Sequence, residues 1–247
     1  MPNWSDTRYK FQGEKDVVKD LAEKIRIGGY EVSKSTTMPK ALKIAQAPIS
    51  IVSNKDWKEK AAFYRKHKGD SGYVQTLPIK QSMHDRFMKK YEAANWHDWS
   101  VKNWGTKWNL SKEDRGNVDY FEDELTISAC SPWSGAYKWF TTVCKEFKLN
   151  GEMIDIEPGN DFFVKITVEN GDVNIVESSY FSGESIEEFG IEYFEADFHN
   201  RFSLEDFNED NREDYPKEVF NLFKKHGYSF EQFAEFAICD YQKEEKQ

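Results

Sequence analysis

Phe162-Phe163-Val164-Lys165-Ile166-Thr167-Val168-Glu169-Asn170-Gly171-Asp172-Val173-Asn174-Ile175 is the stretch whose reading decides the fold class. Phe162, Val164, Ile166 and Val168 recur at every second position, and Val173 and Ile175 resume the alternation. A strand places such residues on one face. Asn170-Gly171 stands between the two runs, and both residues tolerate the positive φ of a two-residue turn. The spacing predicts a β-hairpin pairing Val168 with Val173 and Ile166 with Ile175.

Reading outward from the hairpin, Met153, Ile154 and Ile156 predict a short strand that ends at Pro158-Gly159. Ahead of it, Ser131-Pro132 is expected to open a helix whose buried face is Ala136, Phe140, Val143 or Cys144, and Phe147. Residues 118–121 and 125–129 read as two strands. Residues 3–11, with Trp4, Tyr9 and Phe11, read as the first strand. Val17, Val18, Leu21 and Ile25 then recur at helical spacing until Gly28-Gly29 stops the helix, because glycine accepts the left-handed geometry of a C-terminal cap. Strand, helix, strand, strand, helix, strand is the βαββαβ order of a ferredoxin-like α+β fold. The expected core is residues 1–29 and 116–182, with the hairpin as an addition to it.

Residues 30–115 interrupt that core. They hold 17 basic and 9 acidic residues, and nine aromatics lie between Trp57 and Trp104. Linkers lack this much apolar mass, so the segment reads as a basic, Trp-rich helical insertion with helices at 57–64 and 83–91. Residues 183–247 read as an acidic, mainly helical C-terminal part. Pro216 starts one helix with Val219, Leu222 and Phe223 on its apolar face, and Gly227 ends it. Ser229 and Gln232 form a capping box before Phe230, Phe233, Ala237 and Tyr241. Lys217, Lys224 and Lys225 are offset by Glu218, Glu231, Glu235 and Asp240, so this αα-hairpin offers no basic face to DNA phosphates. Its apolar faces need cover from the same chain or from a second copy, and a homodimer is one way to supply it.

Composition narrows the class further. The chain has 247 residues and 16% aromatics, including 19 Phe, 12 Tyr and 8 Trp, which argues for a packed core and against disorder. No apolar run approaches a membrane span, and Met1-Pro2-Asn3-Trp4-Ser5-Asp6 lacks the core of a signal peptide. Cys130, Cys144 and Cys239 are odd in number and without CxxC spacing, which disfavours a disulfide framework or a Cys-based zinc site. The expectation is a cytoplasmic protein with no membrane partner. The net charge of −10 conceals an asymmetry. Residues 1–115 hold 23 basic and 14 acidic residues, whereas the remainder holds 11 and 30, so the halves carry +9 and −19. Such a split points to mutual packing of opposite surfaces, to two different partners, or simply to two solvated faces.

Three sequence blocks carry a family resemblance. They are Met1-Pro2-Asn3-Trp4; Trp96-His97-Asp98-Trp99 leading to Asn103-Trp104-Gly105-Thr106-Lys107-Trp108-Asn109; and Ser131-Pro132-Trp133 continuing to Glu157-Pro158-Gly159 and Asn170-Gly171-Asp172. Together they resemble the YubB-type ferredoxin-like family of bacteriophage and plasmid accessory proteins, over roughly residues 1–29 and 96–181. The sequence departs from that family at Trp133, where a second proline is common, and at Phe163, where a glycine is common. The resemblance implies a mobile-element origin, a ferredoxin-like fold and a host bacterial cytoplasm. It implies no chemistry for named residues.

The chemistry-bearing residues do not assemble into a catalytic pattern. His67, His84, His97, His199 and His226 form no HxxxH or HxH pair, and no GxSxG, Walker loop or glycine-rich phosphate cradle occurs. No catalytic residue, metal or cofactor is expected, and the balance leans away from an enzyme. Two stretches invite a binding role. Trp104, Lys107, Trp108 and Asn109 combine stacking surface with positive charge, as single-strand nucleic-acid platforms do. The same block also reads as packing, with Gly105 in a turn, the tryptophans against the sheet, and Asn103 and Asn109 bonded to backbone. Glu187, Glu188, Glu192, Glu195, Glu205, Asp206, Glu209 and Asp210 are interleaved with aromatics, which suggests an ordered acidic surface able to imitate phosphates or simply a solvated face. The leading expectation is a non-enzymatic accessory protein that binds a host protein, such as a defence nuclease or another nucleic-acid enzyme. The alternative is a single-stranded nucleic-acid binder built on the basic insertion and the Trp-Lys-Trp element.

Overall fold

Alternation builds the first strand, β1 (Trp4–Gln12): Ser5, Thr7, Tyr9 and Phe11 are buried, while Trp4, Asp6 and Gln12 face solvent. Glu14 leads into α1 (Lys15–Gly28), whose buried stripe is Val18, Leu21, Ala22 and Ile25. Gly29 closes α1 at φ 62 and ψ −123, donating its N–H to the Ile25 carbonyl. The computed structural model describes residues 4–43, 49–67, 77–157, 162–178 and Glu188.

The insertion follows as α2 (Lys40–Lys43), β2 (Ile49–Val52), α3 (Trp57–His67), β3 (Leu77–Lys80), α4 (Gln81–Tyr91), α5 (Trp96–Asn103) and α6 (Lys112–Gly116). β2 and β3 form a small parallel pair, with Ile51 opposite Ile79. The two helices expected from spacing are α3 and α4. The strands go unread in the sequence because each is only four residues long and Pro78 sits inside β3. Proline cannot donate to a ladder, which confines it to positions such as this short pair.

The chain then returns as β4 (Val118–Phe121), β5 (Glu124–Pro132), α7 (Tyr137–Phe147), β6 (Asn150–Glu157), β7 (Phe162–Glu169) and β8 (Asp172–Ser178). Six strands make one sheet in the order β4-β5-β1-β6-β7-β8. β1 runs antiparallel to β5, from Trp4 opposite Pro132 to Gln12 opposite Glu124, and antiparallel to β6; β4 is antiparallel to β5. The class is therefore α+β with a mainly antiparallel sheet. The helix expected to open at Ser131-Pro132 starts later. Ser131 and Pro132 instead continue β5, opposite Ser5 and Trp4, and the backbone turns helical only after Ala136. Long-range pairing with β1 captures residues whose local sequence signals a helix start. β7 and β8 are neighbours joined by a turn with Asn170 and Gly171 both at positive φ, and Val173 and Ile175 on β8 stand exposed.

The chief hydrophobic cluster lies where α1 and α7 meet the sheet. Tyr9, Phe11, Leu21, Ile25, Leu125, Ile127, Trp139 and Phe140 are all fully buried in it. Beside it, Asp155 on β6 is buried and accepts hydrogen bonds from the Ser5 hydroxyl, from Thr7 Oγ1 at 2.7 Å and from the Gly135 N–H at 2.7 Å. One carboxylate thus ties β1, β6 and the loop before α7. Contacts divide the chain into two compact units, residues 1–160 with 164–176 and residues 161–163 with 177–247. The helices expected within 216–241 lie outside the described residues. Among the described residues no helix is long and apolar enough to cross a membrane.

Candidate functional site

The Asn103-to-Asn109 block begins as the last turn of α5. Asn95 caps that helix by accepting the Asp98 N–H at 2.9 Å, and the Asn103 amide donates back to the Trp99 carbonyl at 2.8 Å. Gly105 then turns the chain at φ 90, with the Tyr137 ring so close that a Cβ would stand 2.9 Å from it. This turn drives Trp104 inward. Its indole N–H donates to the Thr36 carbonyl at 2.8 Å, and its ring lies 5.6 Å from Tyr30 and 5.4 Å from Trp99. Burial pushes the Tyr30 phenol up to about 12, so this neighbour remains a neutral hydrogen-bonding group.

Asn109 is equally structural. Its Oδ1 accepts the Tyr30 N–H at 2.6 Å and the Leu110 N–H at 2.8 Å, while its amide donates to the Gly28 carbonyl at 2.9 Å. It caps the end of α1 from 81 residues away in sequence. Gly29 makes room for it, since a Cβ there would stand 2.3 Å from Asn109 Oδ1. Asn109→Ala strands the Tyr30 amide and the Gly28 carbonyl together, at an expected cost of about 2 kcal/mol. Urea unfolding of the full chain measures it; a loss under about 0.5 kcal/mol would show that water replaces the cap without penalty.

Lys107 and Trp108 take the solvent side of the same loop. Lys107 Nζ sits 4.8 Å above the Trp108 ring, and the Trp4 ring lies 5.8 Å from it at an interplanar angle of 41°. All four motif residues line one groove of about 430 Å³, whose wall continues through Trp96 and the Glu31–Lys43 ion pair at 2.8 Å. The structure therefore brings the motif together but divides its labour, with Trp104 and Asn109 holding the fold and Lys107 and Trp108 facing outward.

Three further aromatics, missed in the sequence, stand exposed near the start of β1, the end of β5 and the start of α7. Trp4 is 52% exposed, Trp133 55% and Tyr137 39%, beside Trp108 at 40%. Trp133 follows Pro132, the partner of Trp4 in the ladder, and has φ 72, a left-handed backbone that bulky side chains rarely adopt. One signal was available: Trp4 has the opposite parity to Tyr9 and Phe11, so a strand that buries those two must expose Trp4.

Of the acidic residues singled out from the sequence, Glu187, Glu192, Glu195, Glu205, Asp206, Glu209 and Asp210 lie outside the described residues, and Glu188 is half-buried. Neither described cysteine is an activated nucleophile. The Cys130 thiol donates to Asp6 Oδ1 at 3.0 Å, and that bond together with burial pushes it up to about 11; burial pushes Cys144 up to about 12. His97 stands 3.4 Å from Asp98 and edge-on to the Trp96 ring, on the exposed surface of α5. Among the described residues no three His, Cys, Asp or Glu side chains gather as a metal site requires.

No protein-family model matches the chain, and no curated protein matches it. Among solved structures it is similar to the protein api92 from Yersinia pseudotuberculosis, at 10% sequence identity, with 73% of this chain and 98% of that chain covered and a TM-score of 0.37. At that score the likeness carries no argument about fold or function.

Proposed function

We propose that the chain is a non-enzymatic accessory protein of a bacteriophage or plasmid, with a ferredoxin-like core, that acts in the host cytoplasm by binding a host protein. The core assignment is supported by the strand order: β4, β5, β1 and β6 are neighbours, and the pairs β4–β5, β5–β1 and β1–β6 are antiparallel, as a βαββαβ chain arranges its four strands.

Trp133 carries the binding proposal. Holding a bulky residue at positive φ costs about 1–3 kcal/mol, and leaving its ring in water adds a further penalty. A partner that buries the ring compensates both. Trp4, Trp108 and Tyr137 surround the proposal with the residue types that dominate protein interfaces, where buried tryptophan and tyrosine act as anchors. The acidic segment 187–210 adds, on this reading, a charge that favours a basic cleft such as that of a nucleic-acid enzyme. The stacking-platform alternative draws less support from the same loop. Trp104 is buried, Asn109 is a cap, and Lys107 occupies one face of the remaining Trp108 ring.

Affinity capture from host lysate with the full chain, followed by mass spectrometry, tests the reading when run beside Trp133→Ala. The expected result is one host protein held by the wild type and weakened at least ~30-fold by the substitution, as a loss of about 2 kcal/mol at an anchor implies. Thermal melting confirms that the variant still folds. Equal capture by both forms, or recovery of nucleic acid without protein, overturns the proposal.

A further inference from the structure

The insertion carries a second surface that the aromatic end does not use. α3 and α4 both pack against β3, forming a small lobe over residues 49–67 and 77–91. Within it stand nine Lys or Arg and three Asp or Glu, a net charge of +6 on a chain whose total is −10. Helical spacing concentrates the cations: Lys58, Arg65 and Lys66 share one side of α3, and Arg86, Lys89 and Lys90 share one side of α4. All six are exposed.

Among the described residues these cations are not neutralised by neighbours. Elsewhere in the described residues some lysines are ion-paired, as in Lys10–Glu124, Lys24–Asp20, Lys43–Glu31, Lys102–Glu92 and Lys165–Glu152. Among the described residues none of the six lobe cations has a carboxylate partner. Two of the lobe's three acids are engaged otherwise: Asp56 holds Ser53 in a turn, and Asp85 accepts from Gln81 and faces His84. Asp85 sits below the usual carboxylate range, through the Gln81 hydrogen bond first and then His84, so it is ionised and still leaves the stripe strongly positive. Like charges crowded on neighbouring turns repel and cost the fold stability. An anionic partner with regularly spaced charges relieves that repulsion.

We propose that the α3–α4 lobe is a docking surface for the phosphodiester backbone of nucleic acid. A backbone presents one phosphate per few ångströms, which matches cations repeated along helices, whereas a free anion would engage only one or two of them. Phe63 adjoins the α3 stripe and is half exposed, giving an apolar surface beside the cations. On this proposal the stripes contact phosphates rather than base edges, so the binding is sequence-independent. It is a separate surface from the aromatic end, and it would set this protein beside a host protein already seated on nucleic acid.

Fluorescence anisotropy tests the assignment, with the full chain and a fluorescein-labelled mixed-sequence oligonucleotide, single-stranded in one arm and duplex in the other. Lys58→Glu/Arg65→Glu/Lys66→Glu is compared with Lys15→Glu/Lys19→Glu/Lys145→Glu, which makes the same change in net charge on α1 and α7. Wild type is expected to bind at low salt, with an affinity that falls steeply as salt rises. The lobe variant is expected to lose at least ~10-fold and to flatten the salt slope by about 0.7 per lost contact for the single strand or about 0.9 for the duplex. The α1/α7 variant is expected to stay within about threefold of wild type, as exposed charges off the contact surface should. Circular dichroism shows whether both variants fold. No wild-type binding, equal losses in the two variants, or equally tight binding of polyglutamate overturns the proposal. None of these outcomes depends on Trp133, so the aromatic end stands or falls separately.

Discussion

Trp104→Ala is expected to cost about 3–5 kcal/mol, the range for removing a buried tryptophan, and Trp108→Ala under about 1 kcal/mol. The two residues stand four positions apart in one motif. Trp104 is 2% exposed, wedged between the Tyr30 and Trp99 rings, and its N–H satisfies the Thr36 carbonyl. Alanine opens a cavity there and strips the buried Thr36 carbonyl of its donor. It also removes a link between the end of α5 and the segment following α1. Trp108 loses only its contacts with Trp4 and Lys107, at a surface that solvent already reaches. Because a domain of this size is stable by only about 5–15 kcal/mol, the first substitution threatens folding and the second does not. Urea titration followed by circular dichroism separates them. A similar cost for both, or a loss under about 1 kcal/mol at Trp104, would refute the division of labour within the motif.

That division marks the boundary of what the sequence discloses. The hairpin at Asn170-Gly171 and the glycine stop of α1 rest on local φ preferences, and local sequence contains everything needed to read them. The packing reading of the motif likewise placed Gly105 in a turn and bonded Asn103 and Asn109 to backbone, as the structure does. Which tryptophan turns inward is another matter, because the answer depends on Thr36 and Tyr30, far away along the chain. Trp139 shows the same limit: the apolar positions around it read as a helix face, yet its burial follows from an indole bond to the Tyr30 carbonyl and edge-on packing against Tyr9 and Phe11. Ser131-Pro132 shows it in reverse. A helix-start signal was overruled by nine residues of ladder with β1, a cooperative interaction that no window of local sequence contains. Trp133 is the most instructive case for function, since its exposure follows from a backbone angle imposed by the turn out of that ladder.

Asp155→Ala is expected to destabilise the fold by about 3 kcal/mol, since it orphans a buried backbone N–H and two buried hydroxyls together. The carboxylate is the common acceptor of Ser5, Thr7 and the Gly135 N–H, so its loss loosens β1, β6 and the entry to α7 at one point. Asp155→Asn separates shape from charge. Its carbonyl oxygen accepts from Gly135, and its amide donates to hydroxyls that rotate to receive it. Burial raises the Asp155 pKa above the ordinary 3.8, against the opposing pull of the Gly135, Ser5 and Thr7 hydrogen bonds. A raised folded-state value means that the native protein binds this proton more tightly than the unfolded chain does. The contribution of Asp155 to stability is therefore greatest below the unfolded value and declines as pH rises through the folded one. The asparagine variant lacks that decline. Plotted against pH, the stability difference between wild type and Asp155→Asn should shift toward the variant from about pH 4 upward and level off once the native carboxyl has ionised. Parallel profiles would mean that the three hydrogen bonds fully offset the burial; a shift toward wild type would mean that the ionised carboxylate is the form the fold prefers. The first result would make the pocket indifferent to charge and the second would make it charge-stabilising, and either would displace a buried, reluctantly charged acceptor as the account of how β1, β6 and α7 are joined.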